Sequence, residues 1–483
     1  MMKFRKSMLL PLSAISLILT ACGGTSAPTS SVPASVPASA GDSAASSVSD
    51  GITHVVFWHT LGDVKAGYLD NLAKKFNKEH ENVEVVCSQV TGSYDDLQSM
   101  ILSNSATGGL PTMSFCYPDN VAEYLDRNIV VDMSRFFDDE QVGFKESDGS
   151  SIDGRGNKRV GADDYLPAFW DEGREFETEG QFCVPFSKST EALFYNKNKF
   201  DAMGYSVPTT WQEMWELCRT IRADFPEVDE KTNDYKVYPL GYDSDENLFI
   251  TLCEQNGYGY TTNDIETHRT HFIFNNNDVK GMLSELKGYY DDHLFKTKGT
   301  TANSTYTSSA FTAGDILMSI GSTGGTSYQD TDNFEVGVAS LPCVDRQNPA
   351  FVSQGPDICF YNRSSEAELR TAWEFYRYIS SAGNNASYGL ATGYQPVRYS
   401  SYESAEYTDF LDRTDDENLM KKVAILCQGL QESYFTSPVF LGSAVARNEV
   451  GSALAAVLLG EKTIDKALDD AMSNCVNAVR QRS

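Results

Sequence analysis

The chain has 483 residues, with 41% hydrophobic and 22% charged side chains and a formal net charge of -28. That composition can bury an ordinary core. So acidic a chain is excluded from electrostatic capture of nucleic acid or anionic lipid, although a local group of donors in a cleft still suits an anion.

Lys3, Arg5 and Lys6 precede an apolar run over residues 8–20 that ends in small residues. This is the layout of a secretory signal, and it falls short of the roughly 20 apolar residues a spanning helix needs. Leu19-Thr20-Ala21-Cys22 resembles the lipobox of bacterial lipoproteins. The resemblance implies removal of residues 1–21, acylation of Cys22 with palmitate-type chains, and a bilayer partner on the extracellular face of the cell membrane. Residues 22–51 then form a Ser/Pro/Ala tether with too little apolar surface for a core, reaching on the order of 30 Å as a coil. About 430 residues remain, enough for two or three domains.

Residues 52–58 are β-rich and predict a first strand. Tyr68, Leu69, Leu72 and Phe76 then give helical spacing over 61–80. Residues 83–86 predict a strand, 94–102 a helix, and 112–117 a third strand. Strands alternating with helices imply βαβ units and a parallel sheet. Residues 131–180 read as loop with short helices. Strands follow at 183–186 and 191–195, and Thr210 with Glu213 marks a capping box opening a helix. Further strands are expected at 240–242, in the run 311–320 after a short helix end, and at 336–339. Helices are expected at 248–253, 279–293, 366–381, 449–459 and 464–480. No internal repeat is visible.

Ten cysteines are dispersed without a Cys-x-x-Cys pair. Setting Cys22 aside leaves an odd number in mostly apolar contexts, a pattern of buried free thiols rather than of disulfides or a zinc site. Free thiols outside a cytoplasm fit a low-oxygen habitat; a thiol titration that finds few free thiols in the unfolded chain would refute that. The clusters Asp330-Thr331-Asp332-Asn333 and Asp415-Asp416-Glu417 lack an EF-hand register. No cofactor and no metal is expected, and no hydrolase, zincin or phosphate-loop motif is present.

The stretch Pro185-Phe186-Ser187-Lys188-Ser189-Thr190-Glu191-Ala192-Leu193-Phe194-Tyr195-Asn196-Lys197 resembles a segment of the family 1 extracellular solute-binding proteins of ABC importers. Phe57-Trp58-His59-Thr60, Pro208-Thr209-Thr210-Trp211, Phe311 to Met318, Tyr394-Gln395-Pro396-Val397 and Gly460-Glu461-Lys462-Thr463 resemble further segments, in family order. The Trp-His pair after the first strand is similar to the glycerol-3-phosphate-binding branch. The resemblance implies a two-lobe α/β fold of the periplasmic-binding-protein type, with a hinge and an interlobe ligand cleft. Residues 52–190 and 311–354 are assigned to the N-terminal lobe, and 191–310 and 355–483 to the C-terminal lobe.

Position by position, the resemblance implies ligand contacts at Tyr94, Ser189, Ser322, Gly355, Tyr394 and Arg447. Asp119 enters by a one-residue shift, because Pro118 stands where the branch has an acid. Trp211 is a candidate aromatic wall for a sugar face. Each position also has a packing explanation: Tyr94 and Trp211 as helix-start core aromatics, Ser189 at a strand edge, Ser322 as an N-cap, Asp119 as a solvated acid. The expected function is capture of a small polar solute, whether sugar, polyol or glycerophosphate, and its delivery to the transmembrane subunits of an ABC permease, without catalysis. Two alternatives stay open at this point, a surface glycan hydrolase with facing carboxylates and an adhesin or receptor without transport.

Overall fold

The computed structural model describes residues 51–414 and 418–480. The signal, Cys22, the tether up to residue 50 and the acidic run Asp415-Asp416-Glu417 lie outside these residues.

The ordered chain opens with strand β1 (Thr53–His59), helix α1 (Asp63–Glu79), strand β2 (Val83–Gln89), helix α2 (Tyr94–Ser105), strand β3 (Met113–Cys116) and helix α3 (Pro118–Asp126). β1 buries Val55, Phe57 and His59 on alternate positions. α1 buries Leu69, Leu72, Ala73 and Phe76, the one-sided spacing that lays a helix on a sheet. β1 pairs in parallel with both β2 and β3. Two antiparallel strands complete this first sheet, Asp357–Phe360 beside β3 and Val184–Pro185 at the edge.

The second sheet runs Phe295–Thr297, Tyr238–Tyr242, Ile316–Ser322, Glu191–Asn196 and Val336–Ser340. The first three are parallel, and Glu191–Asn196 is antiparallel to both its neighbours. Helices Trp211–Asp224, Asp245–Asn256, Ser443–Leu458 and Ile464–Arg480 bury their apolar residues in the core of this lobe. A separate core gathers around the first sheet.

The lobe boundaries expected from sequence are reversed for two segments. Strands Ile316–Ser322 and Val336–Ser340 belong to the second sheet, not the N-terminal lobe. Strand Asp357–Phe360 and helices Glu366–Ile379 and Ala382–Thr392 belong with the first sheet, not the C-terminal lobe. The cause is one short strand. All four residues of Asp357–Phe360 are buried inside the sheet, so the segment shows no alternation and reads as an apolar fragment. Helix Ser443–Leu458 also begins well before residue 449. It starts after Gly442, at φ 102°, and is buried on several sides rather than being amphipathic.

Among the described residues the chain crosses between lobes at residues 187–190 and again at 341–356. The two crossovers run side by side, where Ser189 and Gln354 exchange backbone hydrogen bonds of 2.8 Å each way. Lys188, 1% exposed, binds them together. Its ammonium donates to the Gly355 carbonyl at 2.9 Å, to Asp357 Oδ1 at 3.2 Å and to Glu172.

Candidate functional site

A cavity of about 1260 Å³ lies between the lobes, at the carboxyl ends of the parallel strands of both sheets. Open α/β sheets place ligands at those ends, because the loops there are free to diverge. From the first lobe it is lined by the loops after β1 and β3 and the start of α2. From the second it is lined by the residues after strands Tyr238–Tyr242 and Ile316–Ser322 and by the start of helix Ser443–Leu458.

Seven of the eight positions inferred from sequence line this one cavity: Tyr94, Asp119, Ser189, Ser322, Gly355, Tyr394 and Arg447. Trp211 does not. It is buried in the second-lobe core, stacks on Trp215 at 6.1 Å and donates its indole N–H to Gln255 Oε1 at 2.8 Å. It anchors the first turn of its helix rather than facing a ligand.

Tyr94 opens α2, where a capping box holds it in place: Asp96 N–H donates to Ser93 Oγ, and Ser93 N–H donates to Asp96 Oδ2 at 2.7 Å. Its ring meets Tyr117 edge-on at 4.9 Å and its hydroxyl bonds Tyr394, which in turn stacks on Tyr388. Burial pushes these phenols up, so the cluster stays neutral and offers O–H donors, acceptors and ring faces.

Asp119 sits in the first turn of α3 and Arg447 in helix Ser443–Leu458 of the other lobe. Asp119 accepts from the Ser443 side chain across the cleft. Burial raises the Asp119 pKa, against the Ser443 bond and the Arg447 charge. Burial also works against the Arg447 charge, but Glu246 and Asp119 outweigh it and hold its pKa above the ordinary value. Arg447 donates to Asn247 Oδ1, and Asn247 Nδ2 passes a 3.0 Å hydrogen bond to Glu191 Oε1. Glu191 also accepts from the Tyr242 hydroxyl at 2.5 Å. Burial pushes Glu191 up to about 7 in spite of these donors.

Ser322 caps a short turn, Thr323–Tyr328, accepting from Gly324 N–H at 3.2 Å, and its hydroxyl donates to Ser189 Oγ at 3.2 Å. Gly355 does allow a close backbone approach, but to Ser187 of the neighbouring crossover, whose carbonyl oxygen lies 2.0 Å from where a Cβ would stand.

Lys65, Tyr117, Glu191, Glu246 and Asn247 line the cavity and were not singled out from sequence. Glu191 was legible in principle, being a carboxylate at the start of an otherwise apolar strand. The others carry no local signal, because their relevance comes from the facing lobe.

Residues 71–416 match the family described as bacterial extracellular solute-binding protein. The chain is similar to the sn-glycerol-3-phosphate-binding periplasmic protein UgpB of Pectobacterium atrosepticum, 22% identical over 430 residues, spanning 87% of this chain and 90% of that protein. Among solved structures, UgpB from Mycobacterium tuberculosis in complex with glycerophosphocholine superposes with a TM-score of 0.69 at 16% identity, over 89% of this chain and 98% of that one. The GacH receptor of Streptomyces glaucescens, solved unliganded and with acarbose, gives 0.68 at 19% identity, over 89% and 98%. These likenesses concern the fold.

Proposed function

Because the chain belongs to the bacterial extracellular solute-binding proteins, we propose that it captures a carbohydrate or glycerophosphate-type polar solute in its interlobe cleft and delivers it to the transmembrane subunits of an ABC importer. The observation that carries this reading is the cleft itself. Two lobes, joined by paired crossovers, enclose a cavity with the tyrosine faces of Tyr94, Tyr117 and Tyr394 on the first lobe and the hydrogen-bonded chain Arg447–Asn247–Glu191 on the second. A ligand that touches both lobes stabilises the closed arrangement in proportion to its differential affinity. The volume exceeds the range of about 300–1,000 Å³ usual for small-molecule sites, and so has room for an elongated solute.

The reading is of a binding protein and not a hydrolase. Three of the seven cleft carboxylates are engaged within the protein, Glu172 by Lys188, Glu191 by Tyr242 with Asn247, and Asp119 by Ser443; Asp63, Asp95, Asp243 and Glu246 also line the cleft. Capture near an importer also needs confinement, which acylation at Cys22 would supply through the tether. Replacing Cys22 by Ala should release the protein from the membrane fraction; retention there would refute the anchor.

The test is calorimetric titration with maltotriose, glycerol 3-phosphate and glycerophosphocholine, with product analysis alongside. Saturable binding without turnover is expected. Turnover of a glycan would overturn the reading. Arg447→Ala removes a charge-assisted donor and should weaken a bound solute by about 1.5–3 kcal/mol; unchanged affinity would remove Arg447 from the site.

A further inference from the structure

Four cations line the cleft: Lys65, Lys188, Lys298 and Arg447. Their partners separate them. Lys188 is matched by Glu172 and Asp357. Arg447 is engaged by Asn247 and lies in the field of Glu246 and Asp119. Lys298 stands 4.2 Å over the ring of Tyr306, a side chain 54% exposed at the rim. Lys65 differs from all three. It lies in the first turn of α1, donates one hydrogen bond to the Gly324 carbonyl of the second lobe, and stands 4.5 Å over the Tyr394 ring. Among the described residues no carboxylate pairs with it. Burial without a compensating acid lowers it to about 8.

An ammonium has three donors, and the Gly324 carbonyl takes one. Thr60, Ser93 and Ser327 are polar residues of the same cavity wall. A partly buried cation without counter-charge is costly unless something supplies that charge, and the cavity is where it can come from. Resting on the solute-binding reading above, we propose that Lys65 sets ligand class: it takes an acidic oxygen of an anionic solute, such as a phosphate or carboxylate, while Gly324 holds the same ammonium from the other lobe. Arg447 then serves the polar remainder of the solute. Because Lys65 already spans the cleft, an anion bound there is coupled to lobe closure.

The experiment titrates glycerol 3-phosphate and the neutral maltotriose into the wild-type protein, Lys65→Met and Lys65→Arg, with thermal unfolding as the check on folding. Lys65→Met keeps the stem and removes the charge. Its affinity for glycerol 3-phosphate should fall roughly ten- to hundred-fold, while Lys65→Arg keeps most of it. If the wild-type protein binds the phosphate and a folded Lys65→Met binds it equally well, the assignment is overturned. Binding of maltotriose alone to the wild-type protein overturns it too, and leaves the solute-binding reading standing. Binding of neither probe overturns the ligand class of that reading and this inference together.

Discussion

Glu191 opens a strand that runs antiparallel to Ile316–Ser322, and its carboxyl is therefore delivered to the cleft at the strand's first position. Its neighbours are donors, yet burial dominates and raises it to about 7. The sign follows from linkage. Between the ordinary carboxyl pKa near 4.5 and about 7, the folded protein holds a proton that the unfolded chain has lost, so stability falls as pH rises through this window. The slope contributed by one such group is at most about 1.4 kcal/mol per pH unit. Glu191→Gln should flatten the dependence of chemical-denaturation stability on pH between 4.5 and 7, whereas curves that stay parallel to wild type would refute the assignment. Asp245, raised by burial to about 6, acts in the same direction and will leave a residual slope. At this scale the sequence was informative wherever a family segment fixed a position, as at Ser189 and Tyr394. It misled at Trp211, because a helix-start tryptophan looks the same whether its ring turns inward or toward a ligand.

Among the elements, the paired crossovers govern the geometry of the cleft. Gly355 has φ +91° and packs against Ser187, so a side chain there meets both backbone strain and a carbonyl. The strain alone costs roughly 1–3 kcal/mol. Gly355→Ala should therefore lower the melting temperature and weaken solute binding together, since forcing the crossovers apart changes how the lobes meet. Small-angle scattering is expected to show a wider opening. An unchanged melting temperature and scattering curve would show that the crossovers tolerate the added methyl. The early βαβ units were legible because β1 and α1 each bury one side and keep their period, and the fully buried β3 follows in the same alternation of strand and helix. The strand Asp357–Phe360 was not, because it is buried on both faces, and its omission moved a whole lobe boundary.

For the whole molecule, the tie between the paired crossovers and the first lobe is concentrated at Lys188. Its charge is disfavoured by burial but more than restored by Asp357 and Glu172, so it stays protonated. Burial holds Glu172 well above the usual carboxyl range in spite of Lys188. Removing one member of a buried ion pair costs roughly 3–5 kcal/mol. Lys188→Met should destabilise the fold by about that amount in denaturant titrations; a loss below 1 kcal/mol would mean that the two carboxyls accommodate each other without it. The motif that contains Lys188 was read from sequence, but its two partners come from distant segments, and nothing local announces them.

The position of Asp357–Phe360 also sets an order of events during synthesis. Two neighbours, β3 and Val184–Pro185, wait on either side of a gap that only this later strand fills. Until about three-quarters of the chain has emerged, the first sheet is split and both facing strands present unpaired backbone, the kind of edge that templates aggregation. The N-terminal lobe therefore cannot finish folding before the second lobe's strands have been made. Completion of the first lobe thus rests on long-range closure, which is slow and comes last.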